Sequence, residues 1–342
     1  MTLQRRLLIL LVAVVVLGGV AAAAVLRAGA RADEKNQEQA GGPRVTPGRV
    51  SLAPDAGGRR LVFRNMAWGP HRDELATVPA DHPDAPRTAS GVSCLRLYAA
   101  AGTGICLQAV KGGVQDSYRA VVLDASLREV SAHPLAGIPT RARVSPGGHL
   151  TAWTVFVGGD SYAGTDFSTR TSVLDLRTGR LEASLEDFTI RKDGHDHKAA
   201  DVNFWGVTFT PDEKGFYATL ATGGKTYLVR GDLDARTVTT LRENVECPSL
   251  SPDGTRIVFK KRVEGRPAEA PWQLHALDLA TGTETPLAEE RSVDDQAVWL
   301  DDRTVAYALP GDFGADLYSV PADGSGSPAR LMDSALAPAL LG

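Results

Sequence analysis

Residues Leu250 to Phe259 read Leu-Ser-Pro-Asp-Gly-Thr-Arg-Ile-Val-Phe, and this stretch limits what the chain can become. Proline presets the backbone at the second position of a turn, and Asp-Gly supplies the bend and a residue free to take positive φ. Ile257, Val258 and Phe259 then give the β-branched and aromatic run of a buried strand. A third strand is expected at Leu274 to Leu279. Thr281-Gly282 turns the chain again, and a fourth strand ends near Leu287. Four consecutive antiparallel strands make one blade of a radially repeated sheet architecture.

The unit recurs. Ser145-Pro146-Gly147-Gly148, Thr210-Pro211-Asp212-Glu213 and Leu300-Asp301-Asp302-Arg303 stand where Ser251-Pro252-Asp253-Gly254 does, at intervals of about 40 to 65 residues, a spacing suited to propeller blades with added loops. Leu75 to Asp81 (Leu-Ala-Thr-Val-Pro-Ala-Asp) matches Leu317 to Asp323 (Leu-Tyr-Ser-Val-Pro-Ala-Asp), and a unit poorer in motif runs from Cys94 to Leu135. The count of units predicts an all-β, six-bladed β-propeller of four-stranded antiparallel blades. The first unit, Leu61 to Thr88, has room for three strands only. Ser334 to Leu341 is an apolar segment with no blade of its own. It is expected to supply the missing inner strand, closing the ring and covering sheet edges that invite aggregation.

The Ser-Pro-Asp-Gly turn before Ile-Val-Phe, followed by Leu277-Asp278-Leu279-Ala280-Thr281-Gly282, resembles the repeat of the TolB-like β-propeller family. The resemblance covers the chain from about Val50 onward and implies architecture, not activity. TolB proteins are periplasmic and carry an α/β domain ahead of the propeller. Here the propeller is expected to follow a short linker directly, so the envelope partners of TolB are not implied.

Met1 to Arg6 carry two positive charges, and Leu7 to Leu26 are uncharged and nearly all apolar. Residues 1–26 therefore read as a signal peptide or a membrane-anchor helix. Ala30-Arg31-Ala32 has the shape of a cleavage site, whereas the length of the run suits a retained span. Arg5 and Arg6 would keep the amino end in the cytoplasm and place the rest outside. Residues 27–48 are polar and contain Gly41-Gly42-Pro43, which predicts a flexible stalk, and 49–342 form the propeller. A net charge of −4 without a basic block gives no footprint for nucleic acid.

In such a blade the first-to-second and third-to-fourth turns lie on one face. The second-to-third loops and the blade-to-blade connections lie on the other. The first set is short in this sequence. The second set is expected to be long at Asn65 to Asp73, Val157 to Arg170, Phe188 to Asn203, Arg262 to Pro271 and Pro310 to Asp316. Trp68, Tyr162, Phe167, Trp205, Trp272 and Phe313 stand in or beside these segments and are candidates for a binding face. They serve equally well as plugs over the blade tops.

Asp193-Gly194-His195-Asp196-His197 offers nitrogen and oxygen donors. Asp193, His195 and His197 are thus candidate metal ligands, with Asp160 and Asp166 as possible additions, and the alternative is a solvated polar loop. No other cofactor is expected. His275 lies among strand leucines as a structural histidine. Asp294-Asp295 and Asp301-Asp302 fall where turns belong. Cys94 and Cys106 flank a hairpin around Ala99 to Gly104; a register pairing Leu95 with Ile105 would set the cysteines opposite each other for a disulfide. Cys247 is left without a partner.

No Gly-x-Ser-x-Gly elbow, His-Glu-x-x-His or phosphate loop occurs. The expected function is non-catalytic binding of a protein or cell-envelope component by a monomeric propeller that is secreted or membrane-tethered. The alternative is a propeller enzyme, hydrolase, lyase or cyclase in type, using a metal or carboxylates near the central channel.

Overall fold

The computed structural model describes residues 3–38, 40–54, 58–112, 116–157 and 168–342. Its local rule is visible at the recurring turn. The Ser251 hydroxyl accepts the Arg256 N–H at 3.0 Å, the Thr210 hydroxyl accepts that of Gly215 at 3.1 Å, and the Ser145 hydroxyl accepts that of Leu150 at 2.9 Å. One side-chain oxygen thus closes the first-to-second strand turn of each of these three blades. The residue three places on takes positive φ every time: Gly148 at 79°, Glu213 at 56° and Gly254 at 72°.

The described residues form six sheets. Blade 1 runs outward from Ala335–Leu341 through Arg60–Asn65 and Glu74–Pro79 to Arg87–Ser93. Its innermost strand therefore comes from the end of the sequence, paired antiparallel with Arg60–Asn65. Blade 2 is Arg96–Ala100, Thr103–Val110, Ser117–Leu123 and Glu129–Leu135. Blade 3 is Ile138–Val144, Leu150–Val157, Ser168–Asp175 and Arg180–Glu182. Blade 4 is Asn203–Phe209, Gly215–Thr222, Lys225–Asp232 and Thr237–Glu243. Blade 5 is Glu246–Leu250, Arg256–Arg262, Trp272–Asp278 and Glu284–Pro286. Blade 6 is Val298–Trp299, Thr304–Gly311, Gly314–Pro321 and Ala329–Met332.

The core lies between blades. Leu150 and Val173 of blade 3 pack with Phe204, Phe216 and Leu220 of blade 4, while Leu61 and Phe63 of blade 1 pack with Ala308 and Leu317 of blade 6. Phe63, Phe204 and Phe216 are fully buried, each contributing about 2–3 kcal/mol by leaving water.

Several details depart from the sequence-based expectation. The helix spans Leu3–Asn36 and does not end at Leu26, because Arg27 to Lys35 is rich in good helix formers. Val45–Pro47 pairs parallel with Arg87–Ala89 at the outer edge of blade 1. A flexible stalk over 27–48 therefore does not describe this segment. Phe188 to Asn203 is not an open loop: Thr189–Lys192 and His195–His197 extend blade 4 outward to six strands. Pro310 to Asp316 is a tight hairpin in which Gly311 pairs with Gly314.

Candidate functional site

Inner strands of blades 4, 5 and 1 carry a bulge near the end that meets the long-loop face. Each bulge contains a residue in the left-handed region: Gly206, Cys247 and Ala337. At Gly206 the requirement is steric as well, since an added Cβ would lie 2.7 Å from the Cys247 Cα. Bulges of this kind re-aim side chains and often border functional sites. Here Trp205 and Glu246 stand directly beside them and line a cavity of about 660 Å³ on the long-loop face.

The cavity is walled by Trp205 of blade 4 and Trp272 of blade 5, and its charged groups are paired. Lys260 is buried, with Nζ 2.6 Å from Asp294 Oδ1, 3.9 Å from Glu246 Oε2 and 4.2 Å from the centroid of the Trp272 ring. Glu246 also accepts from Arg262 Nε at 2.9 Å and from Trp272 Nε1 at 3.0 Å. Asp201 accepts the Gly223 N–H at 2.6 Å and the Thr222 hydroxyl at 2.8 Å. Partial burial works to raise its pKa, but these donors hold it below the ordinary carboxylate range.

Beneath the cavity the axis is nearly filled, leaving about 30 Å³. Arg143 is buried with its guanidinium over the Tyr98 ring at 4.4 Å, and the Gln296 amide donates to the carbonyls of Pro248 and Val207 at 2.7 and 3.2 Å. Arg96 donates to Asp295 at 3.0 Å, and Arg141 lies 3.9 Å from the same carboxylate. Burial pushes the Asp295 pKa up, yet Arg96 and Arg141 more than offset it and keep the carboxylate ionised below its usual range.

Of the six aromatic candidates, Trp205 and Trp272 meet at this cavity. Trp68 and Phe313 lie elsewhere on the face, packed edge to face at 5.2 Å between blades 1 and 6. Tyr162 and Phe167, like Asp160 and Asp166, lie outside the described residues. Asp193, His195 and His197 sit at or next to the outermost strand of blade 4, away from the channel. Asp193 pairs with Lys192 at 2.8 Å, and His197 Nε2 lies 3.0 Å from the Thr222 hydroxyl. Among the described residues, no three His, Cys, Asp or Glu side chains gather closely enough to hold a metal ion.

Cys94 and Cys106 are joined by a disulfide with Cα atoms 5.4 Å apart. The hairpin register differs from the expected one: Tyr98, not Leu95, faces Ile105. The turn is the two-residue pair Ala101-Gly102, both with positive φ, which moves the pairing toward the carboxyl side. Cys94 thus precedes the inner strand of blade 2, and the bridge ties the crossover from blade 1 to the second strand, Thr103–Val110. Cys247 is a buried free thiol. His275 is buried with Nδ1 2.9 Å from Glu284 Oε1, although neither ring nitrogen makes a well-aligned hydrogen bond. Asp301 forms its turn by accepting the N–H groups of Arg303 and Thr304. Asp294 and Asp295 do otherwise: they pair with Lys260, Arg96 and Arg141 around the channel mouth. Lys260, Glu246, Arg96 and Arg141 carried no motif that would have singled them out.

A six-bladed propeller with a closed axis and a polar, tryptophan-walled mouth is the class this fold and site define. No protein-family model matches the chain, and no curated protein matches it. Solved structures share the architecture. The chain is similar to TolB from Acinetobacter baumannii, with 19% identity, a TM-score of 0.55, and coverage of 84% of this chain and 67% of that one. It is also similar to a chain from a nidogen/laminin complex, with 10% identity, a TM-score of 0.51, and coverage of 83% and 99%. A puromycin-hydrolysing peptidase from Mycobacterium tuberculosis matches with 16% identity and a TM-score of 0.49, over 81% of this chain and 44% of that one. At these identities the likeness is one of fold: a TolB-like propeller.

Proposed function

We propose that this chain is an exported, membrane-tethered propeller whose long-loop face binds a protein or another cell-envelope component without catalysing a reaction. The observation that carries the reading is the cavity walled by Trp205 and Trp272. Tryptophan beside the buried charges of Lys260 and Glu246 is the composition of a binding hot spot. The non-catalytic part rests on the pairing. Glu246 is engaged by Arg262 and Trp272, Lys260 by Asp294, and Asp295 by Arg96. An acid or base for catalysis needs a proton to exchange near the working pH, and Arg96 and Arg141 hold the Asp295 carboxylate in its charged form. The apolar helix and the two arginines ahead of it support the export reading.

The test is affinity capture from envelope extracts with the wild-type protein and with a Trp205→Ala/Trp272→Ala variant of unchanged circular dichroism. A component held by the first and lost by the second is the expected result. An identical captured set from both would refute the choice of site.

A further inference from the structure

The amino-terminal helix ends on the same face as the cavity. The Lys35 carbonyl accepts the Gly69 N–H at 2.8 Å, and Gly69 belongs to the second-to-third strand loop of blade 1. The apolar part of the helix is exposed along its length: among the described residues, its membrane-length window is 0% buried. Nine residues, Arg27 to Lys35, separate the end of the apolar run from the contact with Gly69, a distance of about 14 Å along a helix. The opposite face lies a strand length further off, about 25 Å for the eight residues of Leu150–Val157.

From this geometry we propose that the long-loop face lies against the lipid headgroups, so that the cavity opens toward the bilayer surface and not toward bulk solvent. The proposal rests on the reading that the helix is retained as an anchor. The residues at the near edge suit the position. Trp68 adjoins Gly69 and packs with Phe313, both partly exposed. The Arg72 guanidinium is fixed nearby, donating to the carbonyls of Met66 at 2.5 Å and Phe313 at 3.1 Å. Tryptophan and arginine are the side chains that settle at a membrane–water interface. The helix extension adds Arg27, Arg31 and Lys35, all exposed. A gap this narrow beside the helix keeps a bulky soluble partner out. It admits a lipid headgroup.

The test uses the full chain in phosphatidylcholine–phosphatidylglycerol vesicles. A bimane label is placed at Asp312→Cys, beside Phe313 on the long-loop face, or at Ser327→Cys, on the short-turn face; both positions are exposed. The native cysteines are bridged or buried. Lipids carrying a nitroxide at the headgroup should quench the Asp312→Cys label several-fold more than the Ser327→Cys label. A flexible Gly-Ser insertion after Glu38 should abolish the difference while the protein still floats with the vesicles. Equal quenching, or stronger quenching at Ser327→Cys, in protein that floats would overturn the orientation alone. Failure to float, with a mature amino terminus beyond Ala32, would instead overturn the anchoring on which it rests.

Discussion

Ser145 of blade 3 donates its hydroxyl hydrogen bond across the blade boundary, to Glu213 Oε1 of blade 4 at 2.5 Å. In the sister turns the hydroxyl stays at home: Thr210 donates to Asp212 and Ser251 to Asp253. Blade 3 has Gly147 where those turns have aspartate, and the neighbour supplies the missing carboxylate. Glu213 accepts this role at φ 56°, in the place that Gly148 and Gly254 occupy. Glu213→Gly should therefore gain about 0.5–1 kcal/mol from released backbone strain and lose about 1–3 kcal/mol from the orphaned hydroxyl. Net destabilisation is expected in equilibrium denaturation. Adding Gly147→Asp should recover most of the loss, because the space it needs is the one Glu213 vacates. A double variant no more stable than Glu213→Gly would count against this account.

That example shows what the sequence exposes and what it hides. The turn Ser-Pro-Asp-Gly is legible because hydroxyl, proline and glycine each do a local job, and its recurrence among six sets of strands implies a ring. Closure by Ala335–Leu341 was legible for a similar reason: an apolar segment without a blade meets a blade without an inner strand. The cavity was legible only in its tryptophans. Lys260, Glu246 and Asp294 are far apart in sequence and meet because two strands of blade 5 and the connection leading to Val298–Trp299 converge at the mouth. No spacing rule records such a meeting. The helical course of Arg27 to Asn36 was missed because charge and alanine suit an exposed helix as well as a coil.

The closing strand makes its own prediction. Ala339 is fully buried opposite Val62. Ala339→Asp buries an unpaired charge and should cost at least about 3 kcal/mol. Deleting Ala335 to Gly342 bares the edge of Arg60–Asn65, and concentration-dependent aggregation is expected in light scattering. A monodisperse truncated protein would argue that the ring does not need this strand.

The disulfide joins residues twelve apart in sequence and fastens the crossover from blade 1 to blade 2. Replacing both Cys94 and Cys106 by serine should cost about 2–3 kcal/mol through the freed unfolded chain, lowering Tm by about 5 °C for a domain of this size. Calorimetry with and without reductant checks it: the reductant should lower the wild-type Tm and leave the variant unmoved.

Acid should loosen the channel mouth. The Asp295 carboxylate has a folded pKa below its ordinary value despite burial, because Arg96 and Arg141 face it. A depressed pKa means that the unfolded chain binds the proton first. The contribution is therefore complete above the unfolded value near pH 4 and is lost as pH falls through the lower folded value. Asp295→Asn should be less stable than wild type at neutral pH and should show a shallower loss on acidification below about pH 4. Parallel stability–pH curves for the two proteins would remove Asp295 from the account.

At the cavity itself, Lys260 and Asp294 form a pair with unequal burial: the lysine side chain is 3% exposed and the aspartate 64%. Removing the lysine strands Glu246, whose side chain is 5% exposed, and takes the cation from the face of Trp272. Lys260→Met should therefore cost about 2 kcal/mol or more, although Arg262 still covers part of the Glu246 charge. Asp294→Asn leaves water to solvate the site and should cost less than about 1 kcal/mol. The two variants thereby separate folding from recognition. If the long-loop cavity takes a ligand, Asp294→Asn should weaken capture of that ligand while its denaturation midpoint stays near wild type. A ligand held equally by Asp294→Asn and wild type would show that the pair serves the fold alone and that recognition lies elsewhere on the ring.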